Sequence, residues 1–258
     1  MALPAPAAGS TVVVTGASSG IGAELARELS RRGHHVTLVA RRRDRLEALA
    51  RELPAGAEVR PCDLADAGAR EELAGALAAG DVVGLCNNAG FGSHGPFDRA
   101  DLDHERGMVE LNVAALHHLT GALLPRLIER GGGAILNVAS LAANQPIPNM
   151  ATYAATKAFV TSFSEALHAE LRGTGVSVTS LLPGPVHTEF GAVAGVTFTD
   201  RGVPHSAYVD AVTVARRAVR GMERGRRVVV PTLKWKVTGL AGRLVPRSAY
   251  LPLARRVG

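Results

Sequence analysis

Aromatic residues are scarce in this chain: Phe, Tyr and Trp make up 4% of its 258 residues. A core built largely without them has to be aliphatic, packed from Val, Leu, Ile and Ala within an apolar total of 47%. The scarcity also counts against nucleic acid as a partner, because no aromatic side chains are interleaved with the arginines to stack on bases. Cysteine occurs twice, at Cys62 and Cys86, at the ends of expected strands. Two cysteines give no disulfide framework; buried reduced thiols in a cytoplasmic protein are the expectation, and no metal site is expected. No apolar run approaches the ~18–20 residues that a membrane-spanning helix needs. Residues 1–10 have neither the basic stretch nor the apolar block of a secretory signal, which again points to the cytoplasm. Internal repeats and low-complexity linkers are missing too, so residues 1–258 read as a single domain.

Acid is nearly absent from the C-terminal end. Residues 216–258 hold twelve Lys or Arg against one acid, Glu223, a net +11, so the rest of the chain carries −5 of the overall +6. A solvated basic helix face or a contact with an anionic surface fits this asymmetry. Lysine is rare: Lys157, Lys234 and Lys236 stand against 26 arginines. Where arginine is the default cation, a lysine at 157 suggests a position that needs a compact ammonium.

What is present is an alternation of short β-branched runs with longer helical patterns. Strands are expected at 11–15, 35–40, 58–61, 82–86, 134–138, 176–182 and 227–230. Helices are expected at 21–32, 44–52, 66–79, 102–119, 119–130, 153–171 and 210–223. This order predicts an α/β fold, a Rossmann-type doubly wound parallel sheet of about seven strands with helices on both faces.

Between the first strand and the first helix lies Thr15-Gly16-Ala17-Ser18-Ser19-Gly20-Ile21-Gly22. Glycines let a backbone turn sharply and approach a pyrophosphate, and the helix start offers free N–H groups to the anion. The spacing is G-x-x-x-G-x-G rather than the general G-x-G-x-x-G. An acid at the end of the second strand would favour NAD by bonding the ribose hydroxyls. That acid is lacking; the chain reads Ala40-Arg41-Arg42-Arg43, and arginine there pairs with a 2′-phosphate, so NADP(H) is the expected cofactor.

Tyr153 and Lys157 are four residues apart on an expected helix and share one face. An ammonium beside a phenol favours the phenolate, and the expectation is a tyrosine whose pKa is lowered toward the working range of a proton donor. Ser140 lies upstream.

Over residues 10–230 the chain resembles the short-chain dehydrogenase/reductase family. The resemblance rests on TGASSGIG (15–22), CDL (62–64), NNAG (87–90), LN (111–112), Ser140, Tyr153-x-x-x-Lys157 and PGPVHT (183–188). It implies four catalytic residues. Tyr153 is the general acid, and Lys157 lowers its pKa and bonds the nicotinamide ribose. Ser140 holds the substrate oxygen, and Asn112 anchors a water linking Lys157 to solvent. It implies a cofactor site at Gly16, Ser18, Ser19, Gly20 and Ile21, with Arg41 and Arg42 at the phosphate. Asp63 and Leu64 would meet the adenine, while Asn87, Ala89 and Gly90 line the adenosine side and brace the sheet. Pro183 and Gly184 would pass close to the nicotinamide, the Val186 backbone would hold its carboxamide, and Thr188 would reach the carboxamide or the pyrophosphate. Phe159, Phe163 and Leu167 crowd one helix with apolar side chains, and the resemblance implies a homodimer or homotetramer.

Two segments stand outside the alternation. Residues 187–209, with Phe190, Val193, Val196 and Phe198, suggest a loop over an apolar small-molecule substrate. Residues 231–258 form a basic extension in which Leu233, Val237, Leu240 and Leu244 share a helical face, with Lys234, Trp235, Lys236 and Arg243 elsewhere. That face reads either as core or subunit packing, or as a peripheral membrane contact with anionic lipid. The expected function is NADP(H)-dependent reduction of a ketone or aldehyde to an alcohol. The alternatives are an NAD(P)-dependent alcohol or hydroxysteroid dehydrogenase working oxidatively, or a non-catalytic nucleotide-sensing protein.

Overall fold

The computed structural model describes residues 2–194 and 207–257. Its strands are β1 (Thr11–Thr15), β2 (His35–Ala40), β3 (Ala57–Pro61), β4 (Val82–Asn87), β5 (Gly133–Val138), β6 (Val176–Leu181) and β7 (Val228–Val229). The helices are α1 (Gly20–Arg31), α2 (Arg43–Glu52), α3 (Ala67–Ala78), α4 (Leu102–Val109), α5 (Leu116–Glu129), α6 (Ala151–Glu170), α7 (Phe190–Val193), α8 (Ala211–Glu223), α9 (Leu233–Leu244) and α10 (Arg247–Val257).

The valine run Val12–Val13–Val14 shows why the sheet has two covered faces. All three side chains are fully buried, and successive residues of a strand point to opposite sides. Val12 and Val14 pack with Leu25 and Leu29 of α1 and with Val214, Ala218 and Met222 of α8. Val13 packs on the other side with Leu73 and Leu77 of α3 and with Leu119, Leu123 and Leu127 of α5. Every ladder is parallel, and the strand order is β3-β2-β1-β4-β5-β6-β7. The order reverses between β1 and β4. Connections on the two sides of that point leave in opposite directions and open a crevice at the carboxyl ends of the strands.

Helix starts divide into two kinds. The Asp66, Asp101 and Asp210 carboxylates cap α3, α4 and α8 by accepting backbone N–H bonds. The start of α1, directly above the crevice, has no side-chain cap, and its N–H groups remain available to an anion.

Three details depart from the expectations. The helix expected to run from 102 to 119 ends at Val109, and Glu110–Ala115 forms a π-helical turn before α5 begins. Cys62 is only half-buried beyond β3, while Cys86 is fully buried, and both are free thiols. In the C-terminal extension the part of the apolar face that is described is turned outward, not packed into the core. Trp235 and Gly239 point inward, whereas Leu233 and Val237 face out, 77% and 62% exposed. The Leu240 and Leu244 side chains fall outside the described set, as do the Val193 side chain, Val196 and Phe198. No helix among the described residues is long and apolar enough to cross a membrane.

Candidate active site

A cavity of about 950 Å³ fills the crevice at the strand ends. Its walls include Gly16, Ser19, Gly20, Ile21, Arg41, Arg42, Asp63, Leu64, Ala89, Gly90, Ser140, Tyr153, Lys157, Pro183, Gly184, Val186 and Thr188. Three of the expected residues stay outside it: Ser18, Asn87 and Asn112.

The turn after β1 is held open by glycine. Gly16 has φ +65°, and a Cβ there would sit 2.8 Å from the Ala89 Cα. A Cβ on Gly22 would come within 2.2 Å of the Gly16 carbonyl oxygen. The cradle is locked from below by Thr15 and Asn88. The Thr15 hydroxyl accepts the Asn88 and Ala89 backbone N–H groups, and the Asn88 amide donates to the Thr15 and Gly16 carbonyls. Asn88 was not among the expected residues, yet it lines the cavity. Its neighbour Asn87 takes the bracing part of its expected role and does not line the cavity: its side chain is buried and donates to Thr120 Oγ1 and Asn137 Oδ1. Adjacent residues at the end of β4 face opposite ways, so only one of the pair can face the cavity.

At the cofactor-phosphate end, the Arg42 guanidinium donates to the hydroxyls of Ser18 and Ser19 and to the Glu189 carboxylate. Glu189 also accepts from Arg45, and these two guanidiniums, Arg45 first, hold its carboxyl down at about 2. Arg41 is the exposed cation at the lip, 3.9 Å from the Asp63 carboxylate. An uncapped helix start, a glycine turn with no room for side chains and two guanidiniums at the end of β2 fit a phosphorylated dinucleotide.

The reactive end is buried. Tyr153 is 7% exposed, and its phenol faces the Ser140 hydroxyl, which favours the ionised form. Lys157, also buried, donates from Nζ to the Val138 carbonyl at 2.9 Å, and Nζ lies 5.8 Å from the Tyr153 ring centre. The expected lowering of the tyrosine pKa is not what the folded chain shows. Burial pushes the phenol up to about 12, against a smaller downward pull from Ser140. Burial also draws the Lys157 ammonium down to about 8. Each group is disfavoured in its charged form by the same lack of water.

Asn112 sits within the π-helical turn, a distortion that often marks functional sites. Its amide donates to the Phe91 carbonyl and to Thr156 Oγ1, while Oδ1 accepts the Phe91 N–H. The space a Gly90 side chain would fill lies 2.7 Å from Asn112 Oδ1 and 3.5 Å from Lys157 Nζ. Glycine at 90 therefore lets the two polar groups lie close against the chain. Arg70 ties this region to the adenine end, bonding the Leu64 carbonyl and ion-pairing with Glu110, the first residue of the π turn.

The far wall is apolar. Phe91, Ile147, Met150 and Phe190 line it, and the Phe190 ring lies 5.4 Å from that of Tyr153. The C-terminal extension supplies a roof that the sequence reading did not place there. Trp235, Gly239 and Tyr250 line the cavity. The Trp235 indole lies so close over Gly184 that a Cβ there would clash at 2.7 Å, and its N–H donates to the Ala207 carbonyl. The signal available in the sequence was the chain's single tryptophan beside small residues at 239 and 241–242.

Two hydroxyls facing one cavity, with an ammonium one helical turn away and a phosphate cradle at the same strand ends, fit an oxidoreductase of the nicotinamide-dinucleotide class. A family model described as short chain dehydrogenase matches residues 10–195. The chain is 36% identical over 211 residues to a very-long-chain 3-oxoacyl-CoA reductase of Anas platyrhynchos, a match covering 78% of this chain and 67% of that protein. It is 39% identical over 186 residues to the NADP-dependent 3-hydroxy acid dehydrogenase YdfG of Salmonella typhi, covering 70% and 75% respectively. The solved structure of a short-chain dehydrogenase from Sphingobium yanoikuyae in complex with NADPH superposes with a TM-score of 0.82 at 34% identity, covering 90% of this chain and 93% of that one. The chain belongs to the short-chain dehydrogenase/reductase family and acts on carbonyl or hydroxyl groups with an NAD(P)(H) cofactor.

Proposed function

We propose that the protein is an NADP(H)-dependent reductase that converts an apolar ketone or aldehyde to an alcohol. The observation that carries this reading is the buried Tyr153–Ser140 hydroxyl pair, one helical turn from Lys157. NADPH supplies the hydride. The chain's own residues hold the oxygen and move the proton. Ser140 and Tyr153 donate to the carbonyl oxygen, and their bonds strengthen as negative charge develops there. Tyr153 then gives its proton to that oxygen, and the phenolate left behind is stabilised by the charged Lys157. Lys157 returns a proton to the phenolate and is itself reprotonated from solvent on the side of Gly90 and Asn112. Arg41 and Arg42 select the 2′-phosphate, as the NADP-dependent relative and the NADPH-bound structure support.

The apolar wall fits a carbonyl carried on a hydrocarbon chain, and two relatives are named for 3-oxoacyl and 3-hydroxy acid substrates. The whole chain acts as one cytoplasmic domain, with 187–209 as substrate loop. Phe159, half-exposed and stacked on Phe163 at 5.6 Å, gives α6 a surface suited to a homodimer. A panel of carbonyls that includes 3-oxoacyl thioesters and long-chain ketones, read by loss of NADPH absorbance, tests the function. Turnover on apolar carbonyls is expected, and oxidation of alcohols as the sole activity would refute it.

Lys157 sets the pH dependence. Below about 8 it carries its charge and supports the forming phenolate; above that value it does not. Tyr153 stays protonated up to about 12, so the acid itself is not exhausted. Reductive kcat/KM should therefore be level at neutral pH and fall as pH rises through about 8. A profile level to pH ~10 would show that Lys157 does not act as described.

A further inference from the structure

From the outer face of the C-terminal helices, we infer that the protein docks on an anionic lipid bilayer through Leu233, Lys236, Val237 and Arg247. The face exists because α9 is fastened by its other side. Trp235 is bonded to Ala207 and packed on Gly184, and Gly239 lies against Leu141 and accepts a bond from Asn144. Residues two apart on a helix point in nearly opposite directions. Fixing 235 and 239 inward therefore turns 233 and 237 out. Leu233 and Val237 are one turn apart and form an apolar ridge that the described chain leaves uncovered. Lys236 is exposed on the same helix, and Val245, Arg247 and Leu251 are exposed further along the extension, Val245 and Leu251 at 42% and 39%.

Charge selects the occupant. Residues 231–258 contain six Lys or Arg and no Asp or Glu. A second copy of the chain placed on this face would set like charges against each other. Nucleic acid or an acidic protein would answer the charge but leave the leucine and valine ridge with nothing apolar to meet. A bilayer with anionic headgroups satisfies both, because basic side chains bind at the headgroups while the apolar ridge enters the acyl boundary. The inner side of the same helices roofs the cavity through Trp235, Gly239 and Tyr250. Docking would hold that roof at the lipid surface, where a carbonyl dissolved in the bilayer has a short path to Tyr153. This last consequence rests on the reductase reading; the docking does not.

The test is co-sedimentation of the full chain with vesicles of phosphatidylcholine alone and of phosphatidylcholine with one quarter phosphatidylglycerol, without cofactor or substrate. Binding is expected to the anionic vesicles only, weakening as salt is raised. Leu233→Asp/Val237→Asp and Lys236→Glu/Arg247→Glu should each lower partitioning on the order of tenfold or more. NADPH binding measured on each pair establishes that the fold is intact. Failure to bind anionic vesicles overturns the proposal. So does binding that survives the aspartate pair and is lost only in the glutamate pair, which would mark a purely electrostatic surface for nucleic acid or acidic protein. A halving of solution mass in either pair would assign the face to a second copy instead. None of these outcomes depends on carbonyl turnover, so loss of the docking and loss of the reductase function are read separately.

Discussion

Tyr153→Phe should reduce the rate of carbonyl reduction by about 10²–10⁴-fold, the contribution of a positioned general acid, while NADPH binding changes little. The substitution removes one hydroxyl and leaves the ring. That ring packs with Met108, Met150 and Phe190, and nothing in those contacts involves the oxygen. Ser140 keeps its own bond, accepting the Ala142 N–H, so its position survives the loss. The variant should consequently fold, with its Tm within a few degrees of the parent. The comparison is kcat on a turned-over carbonyl against Kd for NADPH from fluorescence. Equal loss in both would place Tyr153 in cofactor binding and not in proton transfer. A full rate in the variant would remove the catalytic assignment altogether.

Arg41→Asp should invert cofactor preference. Hydrogen bonds to a charged partner contribute about 1.5–3 kcal/mol, so kcat/KM with NADPH should fall on the order of 10–100-fold, and further where the new carboxylate repels the 2′-phosphate. The same carboxylate can accept from ribose hydroxyls, and activity with NADH should hold or rise. Arg41 is suited to this test because it is exposed and its only described ion pair is the long one to Asp63. Arg42 makes a contrasting case. Its guanidinium also holds Ser18, Ser19 and Glu189 together, so Arg42→Ala should weaken NADH binding as well as NADPH binding by loosening the turn. An unchanged NADPH-to-NADH ratio in Arg41→Asp would end the phosphate-clamp assignment.

These tests bear on residues that the sequence singled out and on properties it misjudged. The pair at 153 and 157 was visible from its spacing, because four residues make one helical turn whatever surrounds the helix. The direction of the tyrosine shift was not visible. It depends on how much water the cavity walls exclude, and those walls come from β5, α6, α7 and the C-terminal helices. Desolvation of the phenol dominates, and the same burial lowers the neighbouring ammonium to about 8. Asn87 and Asn88 show a subtler case. The dipeptide was legible as part of the site, but which of two successive side chains enters the cavity is set by the register of β4 against β1 and β5.

The C-terminal extension marks the boundary most sharply. Its helical period and excess of basic residues were plain, yet the apolar spacing alone left open whether Leu233 and Val237 are buried or exposed. Only the tertiary structure put the indole of Trp235 over Gly184 and so turned that face to solvent. What the chain determined by itself is what depends on near neighbours: the valine strand, the glycine turn, the arginines after β2 and the tyrosine–lysine turn. What waited for the fold is what depends on residues brought from far away: the burial of the site, the choice between adjacent asparagines, the π-helical turn at Asn112 and the roof over the substrate. Local geometry follows from covalent spacing and backbone sterics, whereas burial is a sum over every segment that packs nearby, and no short stretch of sequence contains that sum.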